Sequence, residues 1–368
     1  MARRAEFLTI QKRGDAKVGT KQPEAGDPLA VAADGTVAVA AFELPISAAL
    51  SAESRARLAA MLSSAGRMNM PEAGAFAEEA GFRSAVDGFR KMLDDNMAGP
   101  GSERLLETFP VDIAPGRISG VPVEVFTPKA QMDEERVLIN LHGGAFYAGA
   151  TYVARMEAIP LAHKGNFRVV SVDYRQGYEH KFPAASEDVT AVYAELLKDY
   201  APGQIGICGT SAGGMLTAQA TAWILELGLP APGALGVFSA GTGGSGDGAY
   251  FSAIGTGKHP PDEAMASITG ARFGYFAGTR ADDYLVNPNI APADFRAKFP
   301  PTLLITGTRA FDLSPALATH RALAQAGVEA SLHVFDGLGH AFFYDAVAPE
   351  SVDAYDTIVR FFRKHLSR

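Results

Sequence analysis

Three glycine-flanked segments hold the residues of this chain that could do chemistry together. Gly209-Thr-Ser-Ala-Gly213 has the form G-x-S-x-G, with the apolar run Ile205-Gly-Ile-Cys208 before it and the small residues Ala212-Gly-Gly-Met-Leu-Thr-Ala after it. A serine between a buried strand and a helix sits on a sharp turn with its hydroxyl raised above the sheet, and flanking glycines leave that turn room. Ser211 is therefore the candidate nucleophile. His142-Gly-Gly-Ala-Phe146 directly follows another apolar run, Val137–Leu141. Acyl transfer needs N–H donors aimed at the developing oxyanion, and glycines let backbone amides come close. Gly143 and Gly144 are assigned as two donors and Ala212 as the third, while His142 reads as a packing residue beneath the loop. Gly337-Leu-Gly-His-Ala-Phe-Phe343 follows the last apolar run. It supplies His340 as the base that takes the serine proton and returns it to a leaving alkoxide. Phe146 and Tyr147 are expected to shape the substrate pocket.

The elements that must position these loops are short apolar runs alternating with helical segments. The runs are Val137–Leu141, 167–172, 204–208, 234–238, 301–306 and 331–335; the helical segments are 184–200, 212–227, 315–326 and 351–366. Strands covered on both faces read as continuous apolar runs, and their alternation with helices predicts an α/β fold with a mainly parallel sheet. Upstream, Leu105–Ile113 and Val121–Phe126 read as an antiparallel pair around a turn at Ala114-Pro-Gly-Arg117. Residues 45–104 read as helical, with Leu58, Met61 and Leu62 on one face and Phe82, Val86, Phe89 and Met92 on another. Residues 1–44 lack periodicity and read as a solvated, poorly ordered arm. The three expected divisions are thus 1–44, 45–104 as a helical cap, and 105–368 as the α/β domain. Within the last, 241–298 interrupts the rhythm and is expected to contribute to a pocket or an oligomer contact.

Composition narrows the function further. With 368 residues and 47% apolar content the chain can bury a large core. A net charge of −8 and no basic stripe argue against a nucleic-acid partner. No apolar run is long enough for a membrane helix, and the N-terminus lacks the apolar stretch of a signal peptide. The single Cys208 excludes an intramolecular disulfide and fits a cytoplasmic location; beside Ser211 it reads as a small apolar filler. A homodimer is a fair expectation for an enzyme of this kind.

The segments His142-Gly-Gly, Asp173-Tyr-Arg175, Glu179-His-Lys-Phe-Pro-Ala-Ala-Ser-Glu-Asp188, Gly209-Thr-Ser-Ala-Gly-Gly214 and Gly339-His-Ala-Phe342 occur in this order. Together they resemble the hormone-sensitive-lipase-like esterases, a family with many bacterial short-chain carboxylesterases, from about Leu105 to the C-terminus. The resemblance implies an eight-stranded α/β-hydrolase fold with a helical cap built partly from the N-terminal region. It implies a small-molecule ester substrate of short to medium acyl chain, an acyl-enzyme intermediate, and no metal or organic cofactor. The Arg175 and Glu179–Asp188 segment has a structural place in such enzymes. Two departures stand out. Ala145 replaces a third glycine after His142, which its small size makes tolerable. More seriously, relatives carry an aspartate directly after Thr-Arg in the segment that here reads Thr308-Arg-Ala-Phe-Asp-Leu-Ser314, so Ala310 stands at the position of the triad acid. The preferred reading is an introduced substitution that cripples the enzyme. The others are that Asp312 serves instead, although two extended residues span up to ~7 Å, or that the acid was lost naturally. The last would leave a slow enzyme or a ligand-binding protein. A lactonase, amidase or acyltransferase on the same machinery also remains open.

Overall fold

The computed structural model describes residues 43–65, 78–93, 99–130, 132–243, 246–249, 252, 272–280 and 282–367, with residues 30, 31, 33, 37 and 38. The chain divides into two compact units, Met1–Pro45 and Ile46–Arg368. In the first, β1 (Ala30–Val31) pairs antiparallel with β2 (Val37–Ala38). Most of the expected 1–44 arm lies outside the described residues.

The second unit begins with three helices, α1 (Ala52–Ala65), α2 (Glu79–Lys91) and α3 (Gly99–Thr108). Then follow β3 (Val111–Ile118), β4 (Val121–Pro128), β5 (Asp133–Leu141), α4 (Tyr152–Gly165), β6 (Phe167–Val172), α5 (Ala184–Leu196), β7 (Ile205–Thr210), α6 (Ala212–Glu226) and β8 (Ala234–Phe238). The chain closes with α7 (Ala293–Arg296), β9 (Thr302–Gly307), α8 (Leu313–Gln325), β10 (Ala330–Phe335) and α9 (Pro349–His365). Eight strands form one sheet in the order β10-β9-β8-β7-β5-β6-β4-β3. Strands β5 to β10 run parallel to one another, whereas β4 pairs antiparallel with both β6 and β3. The expected mainly parallel eight-stranded α/β-hydrolase sheet is therefore present.

The pleat explains why these strands read as unbroken apolar runs. Val137, Ile139 and Leu141 of β5 join Val189, Tyr193, Leu216 and Ile224 of α5 and α6 in one core. Leu138, with Val169 and Cys208 of the neighbouring strands, joins Ala158, Ile159, Tyr355 and Phe362 of α4 and α9 in the other. Successive side chains go to opposite faces, and helices cover both. Cys208 is fully buried there, and burial pushes its thiol well above the ordinary range, as suits a filler rather than a reactive group.

Two local expectations are corrected. Residues 105–108 belong to α3, and the strand read over Leu105–Ile113 runs instead over Val111–Ile118. The Ala114-Pro-Gly-Arg117 segment lies inside β3; the hairpin turns at Ser119 and Gly120, whose φ of 49° and 83° suit a two-residue turn matched to strand twist. Pro115 is tolerated because β3 is the edge strand. Helix α4 went unread: Pro160 interrupts it, and its residues are buried almost all round, so no amphipathic stripe marks it.

Helix α2 packs by Phe82 and Val86 against Tyr147, with the Phe82 and Tyr147 rings edge to face at 5.7 Å. Arg90 fastens the same helix: its Nε donates to the Tyr147 carbonyl at 2.7 Å, and its two terminal nitrogens grip the Glu179 carboxylate at 2.7 and 2.9 Å. Phe82→Ala is expected to cost about 3 kcal/mol, as for other buried aromatic truncations. Denaturant unfolding measures that loss, and faster proteolysis within α2 would place it there.

Candidate active site

Ser211 sits between β7 and α6 with φ 60° and ψ −121°, a conformation that L residues avoid unless their surroundings impose it. The surroundings here are backbone. A Cβ on Gly213 would lie 1.7 Å from the Leu141 carbonyl oxygen, and one on Gly209 would lie 2.3 Å from the same atom. The two glycines of the motif are thus required by the end of β5 pressing against the turn. The Ser211 amide donates to the Phe238 carbonyl at 2.9 Å, and its own carbonyl receives the Met215 amide at 3.0 Å, so the residue is tied on both sides.

The Ser211 hydroxyl is 3.0 Å from His340 Nε2. On the other side of the ring, His340 Nδ1 is 2.6 Å from Asp312 Oδ1. Asp312 is 3% exposed, and its second oxygen accepts from the Thr306 hydroxyl at 2.5 Å. The carboxylate next to the histidine is therefore Asp312, and the preferred reading of Ala310 as the vacant acid position is corrected. The physical reason is the path of the loop. After β9 the Ala310 amide bonds back to Gly307 O at 3.2 Å and the Leu313 amide to Ala310 O at 3.1 Å. The chain turns twice instead of extending, which returns Asp312 to β9 beside Thr306. Ala310 is wholly buried and fills the inside of that turn.

The histidine loop is pinned to its neighbours. Gly337 N donates to the Thr308 hydroxyl at 2.8 Å, Arg309 N to Leu338 O at 3.0 Å, and Ala341 N to the Ser239 hydroxyl at 2.9 Å. Phe311 stacks on the His340 ring at 4.2 Å. Thr306, Ser239 and Phe311 escaped the sequence reading, since an isolated threonine, serine or phenylalanine at a strand end carries no motif.

The loop after β5 folds back on itself, with the Tyr147 and Ala148 amides on the Gly144 carbonyl at 2.9 and 3.1 Å. Gly144, Ala145 and Phe146 all have positive φ. Gly143 lies against the nucleophile: a Cβ there would be 3.3 Å from that of Ser211. The same Cβ would be 3.1 Å from the Tyr344 hydroxyl, whose burial raises its pKa well above the ordinary range. The amides of Gly144, Ala145 and Ala212 have no hydrogen-bond acceptor among the described residues. The Phe146 ring, expected in the pocket, is 3% exposed and stacks on Tyr275 at 5.0 Å, with Phe276 edge-on at 5.0 Å. Tyr147 is 5% exposed beneath α2. The described part of the 241–298 insertion thus anchors the loop, with Tyr275 also accepting the Ala185 amide at 2.8 Å. Arg175 binds Asp188 through its backbone amide and guanidinium at 2.7 and 2.9 Å, the structural lock expected of that segment. A separate cavity of about 10 Å³ near Thr242, Asn289 and Arg296 has room for one water and touches none of these residues.

His142 lies fully buried under the loop, stacked on Tyr174 at 4.2 Å, with Nδ1 donating to the Gly143 carbonyl at 2.8 Å. Burial lowers its pKa to about 4, so the ring is neutral in the fold. The unfolded chain takes up that proton near 6.5, so this contribution to stability is complete above pH 6.5 and falls as the pH drops toward 4. Between pH 7 and pH 5 the protein should lose about 2 kcal/mol through this group. Denaturant unfolding at both pH values should show that loss in the native chain and not in His142→Asn.

Residues 138–344 match the family model of the alpha/beta hydrolase fold. The chain is 26% identical over 280 residues to an esterase of Acinetobacter venetianus, covering 73% of this chain and 89% of that one. It is 29% identical over 230 residues to an acetyl-hydrolase of Streptomyces hygroscopicus, covering 62% and 75%. Among solved structures, esterase E25 superposes with a TM-score of 0.74 at 29% identity, over 89% of this chain and 98% of that one. An esterase of the bacterial hormone-sensitive lipase family gives 0.66 at 25% identity, over 85% and 98%. The chain belongs to the alpha/beta hydrolase fold family and, within it, to the hormone-sensitive-lipase-like carboxylic ester hydrolases.

Proposed function

We propose that this esterase works through a Ser211, His340 and Asp312 triad on esters of short acyl chain. The observation that carries the reading is the unbroken hydrogen-bond relay from Asp312 Oδ1 through both ring nitrogens of His340 to the Ser211 hydroxyl. As Ser211 Oγ attacks the ester carbonyl, His340 Nε2 takes its proton and Asp312 stabilises the imidazolium. The tetrahedral oxyanion is held by the amides of Gly144 and Ala212, as expected, and by that of Ala145. Gly143, the remaining expected donor, acts by its lack of a side chain against Ser211. Collapse of the intermediate returns the proton to the alkoxide, leaving an acyl-serine. Water, deprotonated by His340, then adds to the acyl carbonyl and releases the acid while Ser211 recovers its proton. The short acyl preference rests on the acetyl-hydrolase among the relatives and on Phe146 and Tyr147 filling the loop side. An intact relay favours turnover over the ligand-binding alternative.

Hydrolysis of p-nitrophenyl acetate and butyrate tests the roles. Asp312→Asn should lose on the order of 10⁴-fold in kcat with the fold intact, because the wrong histidine tautomer is then favoured. Ser211→Ala should be inert and resist labelling by an organophosphonate. Ala310→Asp should gain nothing, since a carboxylate there would be buried inside the turn. A gain of several orders of magnitude in Ala310→Asp would restore position 310 as the seat of the acid.

A further inference from the structure

Behind the triad, α4 directs one acidic side chain at the strand ends that carry the nucleophile and the oxyanion loop. Glu157 is 1% exposed. The pleat sends Asn140 of β5 and Cys208 and Thr210 of β7 to the α4 side of the sheet, with Asn140 paired in register to Cys208. Thr210 immediately precedes Ser211, and Asn140 stands two residues before His142. The Glu157 carboxyl lies within the influence of both the Asn140 and the Thr210 side chains. Asn140 already accepts the Ser171 hydroxyl on its oxygen at 3.0 Å, which leaves its amide nitrogen for the carboxyl. The Thr210 hydroxyl is also faced by Tyr344, whose own hydroxyl lies over Gly143.

This group of polar atoms is unusual for a core. Both Glu157 oxygens, Asn140 Nδ2, Thr210 Oγ1 and Tyr344 Oη are buried, and none completes a hydrogen bond of full geometry. Buried polar atoms are ordinarily satisfied, and these stand on four adjacent elements close enough to influence one another, so a side chain that both donates and accepts can link them. The titratable groups around Glu157 are Cys208, Tyr174, Tyr344 and Tyr355, each kept neutral by burial. The cations of α4 are engaged elsewhere: Arg155 with Glu124 at 2.5 Å and Lys164 with Asp356 at 3.6 Å.

We propose that Glu157 is a positioning residue of the esterase, bracing the Ser211 turn through Thr210 and the oxyanion loop through Asn140 and Tyr344. The inference rests on the reading of Ser211 as nucleophile. As a neutral carboxylic acid the side chain both donates and accepts, so it can serve its partners at once. Burial raises its pKa to about 7, so the acid form prevails below neutrality and the carboxylate gains as the pH rises. A full negative charge behind the site where the oxyanion develops opposes that development, and kcat falls.

The test is kcat and KM for p-nitrophenyl butyrate from about pH 5 to about pH 9 in the native chain, Glu157→Gln and Glu157→Leu. The native chain should show a descending alkaline limb in kcat with KM little changed. Glu157→Gln, of the same shape but without an ionisation, should keep the low-pH kcat within about threefold and move that limb up by at least about one pH unit. Glu157→Leu, which cannot hydrogen-bond, should lose about tenfold or more in kcat at every pH. Superimposable native and Gln profiles would overturn the proposal, as would a folded Leu variant with native kcat. If the Leu variant does not fold, the Gln profile decides alone. Ser211→Ala is run beside them: its inactivity keeps the nucleophile reading standing whatever Glu157 does, and its retained turnover would remove both.

Discussion

The carbonyl of Leu141 is the constraint on which the rest of this site depends. It occupies the space that side chains at positions 209 and 213 would need. Because β5 and β7 are neighbours in register, the last residue of β5 meets the turn after β7 at backbone contact distance. That contact brings the oxyanion loop and the nucleophile together without any side chain between them. It also holds Ser211 in a backbone conformation it would not adopt alone. The strain at Ser211 is thus maintained by the sheet rather than by the loop. The same turn opens α6 at Ala212, so a helix N-terminal amide without an acceptor among the described residues sits directly beside Ser211.

The proposed acid and base, Asp312 and His340, are assembled by different means. Both depend on hydrogen bonds among the loops that follow β8, β9 and β10, with the β9 and β10 loops also meeting backbone to backbone at Gly307 and Leu338. Thr308, Arg309 and Ser239 hold the histidine loop, and the double turn after Gly307 brings Asp312 back against Thr306. Helix α8 then begins at Leu313, directly after the acid, so the residue that fixes the histidine also ends the loop. A shift of the acid by two positions along the sequence is absorbed because turns, unlike strands, do not convert residue count into distance.

That difference explains what could be read from the sequence. The candidate nucleophile and base stand in glycine-rich segments whose residue types follow from contacts within a few positions, so the sequence could single out Ser211 and His340, which the fold brings to 3.0 Å of each other. The sheet was legible for a similar reason, since burial on both faces leaves uninterrupted apolar runs such as Val137–Leu141. Asp312 could be read only as an alternative to Ala310, because its place beside His340 depends on hydrogen bonds between separate loops. Helix α4 hid behind Pro160 and an all-round burial that has no period. The Pro-Gly pair at 115–116 imitated a turn because an edge strand accepts proline without losing a ladder bond. Phe146 was recognised as belonging to the site but not as its anchor, since its aromatic partners Tyr275 and Phe276 come from a stretch without a motif.

The titratable groups buried around the loop and the turn have one property in common: burial shifts each of them toward its uncharged form. Burial lowers His142 to about 4, raises Glu157 to about 7, and holds Tyr174 and Tyr344 well above their ordinary range. Within a low-dielectric interior a fixed charge near the oxyanion would act at long range and could not be screened by water. Amide dipoles act over a shorter distance and favour one sign only at the point they converge on. A site walled by neutral groups therefore lets a few N–H donors dominate the local potential, which is the condition for stabilising a charge that exists only in the transition state. The carboxylate of Asp312 stands across the imidazole from Ser211, where, in the proposed mechanism, its charge is matched by the proton that His340 acquires as the oxyanion forms.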